Sequence, residues 1–385
     1  MRPPEHVEAA IRARTRPVCA YVYDTAVLNE RAAALRAALP PRTTLLYAVK
    51  ANGHPDVVRT LSSACDGLEV ASGGELRLAV AAGARRIVFG GPGKTDAELA
   101  AAVAAGAQVN VESAHELRRL DRAARAAGVV TEAAVRVNRA GPALPGSHAM
   151  TGTPTPFGVD ETTLARVLAL RLDSVRVTGF HLHAVSNNLD AAAHARFIAE
   201  AVDWSVATAR RHDVPLRLVN VGGGLGVDYL GAATIDLDAL RSGLAGLAVP
   251  DGVDLIVEPG RILAADAGWY AAEVLDLKHT HGRWFAVLRG GTHHFRLPAA
   301  WGYSHPFTVL PVDAWPYPWQ RPQVDDVAVD AVGELCTPRD VLARDRHVRR
   351  LRIGDILVFG RTGAYGWDIS HHDFLRHPPP AFEVL

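Results

Sequence analysis

Lysine is nearly missing from this chain of 385 residues. Only Lys50, Lys94 and Lys278 occur, and the rest of its 41 basic residues are arginine. Arginine does not give up its proton to act as a nucleophile, so carbonyl chemistry run through an amine falls to three positions. Net charge is missing too. Lys+Arg and Asp+Glu stand at 41 each, leaving no bulk field that favours nucleic acid or an anionic membrane. No apolar run approaches the roughly 20 residues of a membrane span. The stretch from Met1 to Arg16 is charged and proline-bearing, with no apolar signal core. Cysteine is sparse: Cys19, Cys65 and Cys336 stand far apart with no Cys-x-x-Cys pair. That argues against a disulfide framework and fits the reducing cytoplasm. The histidines lack distinctive ligand spacing, so no metal is expected.

What is present is a packed α/β pattern. Hydrophobic residues at 49% and charged residues at 21% suit a globular protein, and the length exceeds one ordinary core, so two domains are expected. Short apolar strands alternate with Ala-rich amphipathic helices. Eight strands are read: Leu45–Val49, Gly67–Val70, Ile87–Phe89, Gln108–Val111, Ala133–Val137, Val177–His183, Leu216–Val221 and Leu255–Glu258. Eight βα units predict a closed (β/α)8 TIM barrel over residues 25–265, with an open doubly wound sheet as the alternative. From about Gly268 the helical periodicity gives way to strand-like runs. These predict a second, mainly β C-terminal domain, residues 266–385 joined by 1–24, whose strand is Val18–Tyr23. The Gly- and Pro-rich loop Arg139 to Pro156 is long enough to serve as a lid.

In such a barrel, chemistry gathers at the C-terminal ends of the strands. Those ends carry Lys50, Glu69, Ser72, Gly90 to Gly93, Glu112, Arg136, Asn138, His181, His183, Gly222-Gly223-Gly224 and Glu258. A lysine at a strand end can be a snorkelling side chain or, when desolvated, one that forms an imine. Three glycines let backbone N–H groups approach an anion, although a glycine run is also an ordinary tight turn. His183 could stack on a planar ring or simply be satisfied in the core. Glu258-Pro259-Gly260-Arg261 adds a carboxylate and a cation. An imine-forming lysine, a phosphate nest, a flat ring and a carboxylate for a heteroaromatic nitrogen are together what pyridoxal 5'-phosphate needs.

The ordered motifs resemble the fold-type III pyridoxal-phosphate decarboxylases, the group of diaminopimelate, ornithine and lysine/arginine decarboxylases. They are Tyr47-Ala48-Val49-Lys50-Ala51-Asn52, Glu69-Val70-Ala71-Ser72-Gly73-Gly74-Glu75-Leu76, Gly91-Pro92-Gly93-Lys94, Val109-Asn110-Val111-Glu112-Ser113, His181-Leu182-His183, Gly222-Gly223-Gly224, Glu258-Pro259-Gly260-Arg261 and Gly333-Glu334-Leu335-Cys336. The resemblance implies that Lys50 carries the cofactor and His183 stacks on its ring. It implies that Ser186 and the glycines around Gly223 hold its phosphate, and the Gly260-Arg261 turn, read from its own residues, offers a cation to a phosphate or a substrate carboxylate unless Arg261 is a surface ion pair. Glu258 would face the ring nitrogen, Tyr365 would reach phosphate or substrate, and Cys336 would return a proton to the substrate carbon. It also implies a homodimer with shared active sites, in which Cys336 and Asp340 reach the partner's barrel.

Three departures bear on the substrate. Cys336 is followed by Thr337-Pro338-Arg339-Asp340, where relatives carry an acid that holds a distal ammonium. Val185 stands where relatives have glycine, and Arg289 to Arg296 includes His293 and His294. Arg289, His293, His294 and Arg296 would together suit a substrate tail bearing carboxylates. That resembles the branch acting on conjugated amino acids, such as citrate-linked diaminopropionate in siderophore assembly, or on carrier-bound amino acids. The alternatives are a diaminopimelate decarboxylase, a racemase (for which no second base is assignable) and a non-catalytic regulatory homologue.

Overall fold

The computed structural model describes residues 2–141, 144–231 and 233–385. The chain divides into two compact units, one of Asn29–Asp228 with Ala233–Leu263. The other takes the N-terminal segment to Leu28, a short stretch from Tyr229, and the chain from Ala264 onward.

In the first unit eight parallel strands close into a ring. In spatial order they are Thr44–Ala48, Gly67–Val70, Ile87–Phe89, Gln108–Val111, Thr131–Asn138, Val175–His181, Leu218–Asn220 and Asp254–Val257, the last pairing with the first. The barrel is therefore closed, as its eight βα units predict. Val, Leu and Ile at inward positions fill it. Leu46, Val88, Ala134, Leu218 and Ile256, from five of the eight strands, meet in one buried cluster that makes the barrel a packed core.

Helix starts follow from local chemistry. Ser72 and Ser113 accept the N–H groups of Glu75 and Glu116 at 3.2 and 3.0 Å, and Thr95 with Glu98 forms a reciprocal capping box. Each cap sits just past a strand, so the chain turns from strand to helix at the rim where function is expected. The loop Arg139 to Pro156 is partly ordered by pairing of His148–Ala149 with Val185–Ser186. Its residues 142–143 lie outside the described residues.

The second unit is built on an eight-stranded sheet. Its long central strand Gly268–Thr280 pairs antiparallel with Ile356–Gly360, with Arg283–Leu288 and, at its start, with Cys19–Tyr23. Val18, Val22, Trp269, Ala271, Ile356 and Val358 pack with Val7 and Ile11 of the first helix, Glu5–Arg12. Three strands that sequence patterning does not pick out are Phe307–Leu310, the arginine-rich Val341–Arg352 and Ala381–Val384. No helix among the described residues is long and apolar enough to cross a membrane.

Candidate active site

Lys50 stands one step beyond the strand that the sequence assigns to it. The strand stops at Ala48, whose N–H is given to Pro259 O at 3.1 Å, and Val49–Ala51 forms a single 3-10 turn. The turn buries Val49 and Ala51 and leaves the Lys50 side chain 45% exposed, with Nζ 2.8 Å from Glu69 Oε2. Glu69 itself is buried on the neighbouring strand. Lys50 is thus paired and reachable, neither sealed in the core nor stretched out into solvent.

At the end of the strand beside it lies Glu258, buried, with Asn220 Nδ2 donating to Oε1 and His181 Nε2 at 3.4 Å from Oε2. Burial, and next the nearby Glu69 carboxylate, push Glu258 up to about 7 against the pull of Lys50, Asn220 and Arg136. A cationic partner would draw it back toward the ionised form. The His181 ring is buried and neither nitrogen has a hydrogen-bond partner among the described residues. Burial, then the charge of Arg136, holds its pKa well below the ordinary histidine value.

His183 lies two residues beyond His181, the last residue of its strand, and is half-buried. Its Nδ1 accepts the Gly223 N–H at 3.2 Å, so that nitrogen carries no proton. Burial and then Arg136 and Lys50 depress its pKa well below the usual value, keeping the ring neutral and flat. The glycine run explains the close approach. A Cβ at Gly222, where φ is +66°, would stand 2.3 Å from His183 Nδ1, and one at Gly224, where φ is +110°, would stand 2.6 Å from Val185 O. This corrects the expectation of a nest built from the whole run. Gly222 gives its N–H to Asn220 Oδ1 at 2.8 Å and Gly223 gives its own to His183, so two of the three amides are already committed. Among the described residues no acceptor takes the Gly224 N–H. Arg261 opens the helix Arg261–Ala264, buried behind Gly260, whose Cβ position is crowded by Ala51 and Ala48. Ser186 lies in the short hairpin, its carbonyl accepting from Ser147 N at 2.8 Å.

Sequence reasoning missed a buried charge network beside these groups. Lys94 Nζ donates to Gly91 O, Asn110 O and Glu116 Oε1 at 2.6, 2.8 and 2.6 Å. Glu116 Oε2 in turn accepts the Glu112 N–H at 2.9 Å, and Glu112 Oε1 accepts from Arg136 Nη1 at 3.0 Å. The signal was the near-absence of lysine, which singles out Lys94 as sharply as Lys50. A lysine that spends all three protons internally holds the Gly91–Gly93 loop and is not a nucleophile.

The β unit sorts the remaining predicted residues. Arg289 pairs with Glu334. His293 and His294 are fully buried, His293 Nε2 lying 3.6 Å from Glu334 Oε1 and His294 Nδ1 3.3 Å from Cys19 Sγ. Burial pushes His294 far below the usual histidine value. These two rings are interior packing, which corrects the expectation that they face a substrate tail. Asp340 is buried too and braces the turn around Cys336, accepting Thr292 N–H and Leu335 N–H at 2.6 and 2.8 Å. Its carboxylate is committed to the fold and positions the turn. Cys336 on that turn is exposed and free. Arg296 is exposed and, with Thr337 and Arg339, lines a cavity of about 740 Å³. Tyr365 sits at φ +55°, left-handed for a non-glycine residue, so the Gly363 to Gly366 turn is held in a shape its sequence does not favour.

The residues present on the barrel rim fit pyridoxal phosphate: a reachable lysine, a neutral flat imidazole held by a backbone donor, a buried carboxylate that a cation would ionise, and a glycine-walled approach. The comparisons agree. The profile of the family described as "Pyridoxal-dependent decarboxylase, pyridoxal binding domain" matches residues 25–265. The chain belongs to this family and is a pyridoxal-phosphate-dependent amino-acid decarboxylase. It is 40% identical to the 2-[(L-alanin-3-ylcarbamoyl)methyl]-2-hydroxybutanedioate decarboxylase of Staphylococcus aureus, over 100% of this chain and 98% of that one. It is 32% identical to the L-glutamyl-[BtrI acyl-carrier protein] decarboxylase of Niallia circulans, over 95% of this chain and 88% of the other. Among solved structures, diaminopimelate decarboxylase from Helicobacter pylori complexed with L-lysine superposes with a TM-score of 0.86 at 25% identity, covering 98% and 94% of the two chains.

Proposed function

We propose that the enzyme decarboxylates an amino acid carried as the amide of a polycarboxylate, and that Lys50 is the residue that holds its cofactor. The observation that carries the reaction is the Lys50–Glu69 pair facing Glu258 and His183 on one barrel rim. The observation that supports the substrate is the full-length similarity to the S. aureus enzyme, whose name spells diaminopropionate joined by an amide to citrate.

Pyridoxal phosphate supplies an electron sink for the pair that a departing carboxylate leaves behind. The chain's residues do the rest. Lys50 would hold the cofactor and give way to the substrate amine. Glu258, ionised by a cationic neighbour, would keep a proton on the ring nitrogen, while Asn220 holds that carboxylate in place. His183 would pack against the ring. Gly224, Ser186 and Arg261 would supply donors and charge for the phosphate, with Gly222 and Gly223 shaping the approach and Gly260 opening the next turn. The exposed Cys336 would return a proton to the carbon that lost CO2, and Arg296 would meet a carboxylate of the tail.

The reading extends to a homodimer in which the β unit of one copy brings the Cys336 turn to the barrel of the other. The exposure of Cys336, on a turn held rigidly by Asp340, supports it. The three free thiols suit the cytoplasm. The test is a substrate panel followed by CO2 release and by mass: diaminopimelate, ornithine, lysine and the citrate amide of diaminopropionate. Turnover of the citrate amide is the expected result. Efficient turnover of diaminopimelate with none of the amide would overturn the substrate reading and leave the reaction class standing.

A further inference from the structure

The cavity of about 740 Å³ in the β unit is walled by three arginines, Arg296, Arg339 and Arg344, and among the described residues no acid lines it. In a chain of zero net charge, that is a concentrated field of one sign. Surface arginines usually meet a carboxylate of their own chain. Here no described acid comes within ion-pair distance of Arg296 or Arg339. The acid nearest Arg344 is Asp330, at 3.7 Å, and it is already clamped by Arg283 through both oxygens at 2.9 and 2.7 Å.

The backbone under each arginine is pinned. Arg296 N–H is given to Ser370 Oγ at 3.0 Å, and Arg344 N–H to Ser304 Oγ at 2.9 Å. Arg339 sits in the turn after Cys336, its carbonyl accepting Val341 N–H at 2.9 Å. The hydroxyls of Ser304 and Thr337 also line the cavity and can donate to an anion. Guanidinium forks on fixed backbone suit bidentate capture of carboxylates. One distal carboxylate needs one such fork, so three forks in one cavity imply a ligand with more than one.

We infer that Arg339 and Arg344 join Arg296 as specificity-determining residues that read a polycarboxylate tail and repel diamine substrates. This deepens the function proposed above and rests on it for the identity of the tail. It shifts the assignment away from the buried His293 and His294 and onto two arginines that the sequence did not single out.

The test uses the holoenzyme and citrate as a free tricarboxylate probe. Calorimetric binding of citrate is measured for wild type, Arg339→Gln, Arg344→Gln, the double variant, and Arg349→Gln, an arginine of the same strand that does not line the cavity. Intact cofactor absorbance and melting temperature establish that each variant is folded and loaded. The expected result is citrate binding weakened about tenfold per arginine removed from the cavity, with Arg349→Gln at the wild-type value. In turnover of the citrate amide, KM should rise more than kcat falls. Citrate binding that ignores both substitutions, or that is absent in wild type, overturns the inference. The two readings separate cleanly. If the amide is turned over and the double variant keeps the wild-type KM, the arginine reading fails and the substrate stands. If wild type rejects the amide but loses citrate binding with the arginines, the substrate reading fails and the anion site stands.

Discussion

Lys50 and Glu258 follow neighbouring strands of the barrel, and each makes a separable prediction. Lys50→Ala should lower kcat by on the order of 10³-fold or more, the scale on which removing a covalent catalyst acts. Borohydride reduction of wild type should fix the cofactor mass on the peptide containing Lys50; labelling at Lys94 instead would defeat the assignment. Glu258 predicts a pH effect. Its native pKa of about 7 lies above the ordinary 4.5, so the folded cofactor-free enzyme holds that proton more tightly than the unfolded chain. The stability it contributes is intact below the unfolded value and is lost as pH rises through about 7. His181 and His183, depressed by burial, act in the opposite sense, costing stability as pH falls below the usual 6.5. Subtracting Glu258→Gln from wild type in urea denaturation, from about pH 5 to about pH 8, isolates the carboxyl. The difference should fall with rising pH and flatten once cofactor is bound; a difference that rises would refute the raised pKa.

At the level of elements, the strand-to-turn junctions do the positioning. Gly222→Ala would force a Cβ to 2.3 Å from His183 Nδ1 in a left-handed backbone, so the imidazole or the strand end must move. A cost of about 1–3 kcal/mol and a weaker cofactor affinity are expected, read by melting and by absorbance titration. Lys94→Met leaves Glu116 buried without its cation and should destabilise the barrel by about 3–5 kcal/mol in denaturant. If that variant were stable but inactive, Lys94 would belong to the chemistry. The barrel strands were legible because runs such as Leu45 to Val49 are apolar and end at Gly, Pro or a cap. Val341–Arg352 was not, because seven of its twelve residues are charged or histidine, and several of them pair with Asp325, Asp326 and Asp330 of the partner strand. Its strand character comes from pairing with Gln323–Val332.

For the whole molecule, the proposed dimer makes a complementation prediction. Lys50→Ala and Cys336→Ala should each be nearly inactive alone. Mixing them after reversible dissociation should restore about a quarter of wild-type activity, because half the molecules become heterodimers with one intact site. No recovery in verified heterodimers would place Lys50 and Cys336 of the same chain at one site.

The reaction class was determined by sequence alone, because it depends on which residue types follow which strands: one lysine, a glycine run, an HxH and a Glu-Pro-Gly-Arg turn in barrel order. Which of those groups are free to act was decided only by tertiary structure. Partnering depends on neighbours far apart in the chain. Gly222 and Gly223 lost their N–H groups to Asn220 and His183, and His293 and His294 sank into the core. Lys94 was neutralised by Glu116, while Arg339 and Arg344 emerged beside a cavity that no described acid lines, with Asp330 reaching Arg344 only at 3.7 Å.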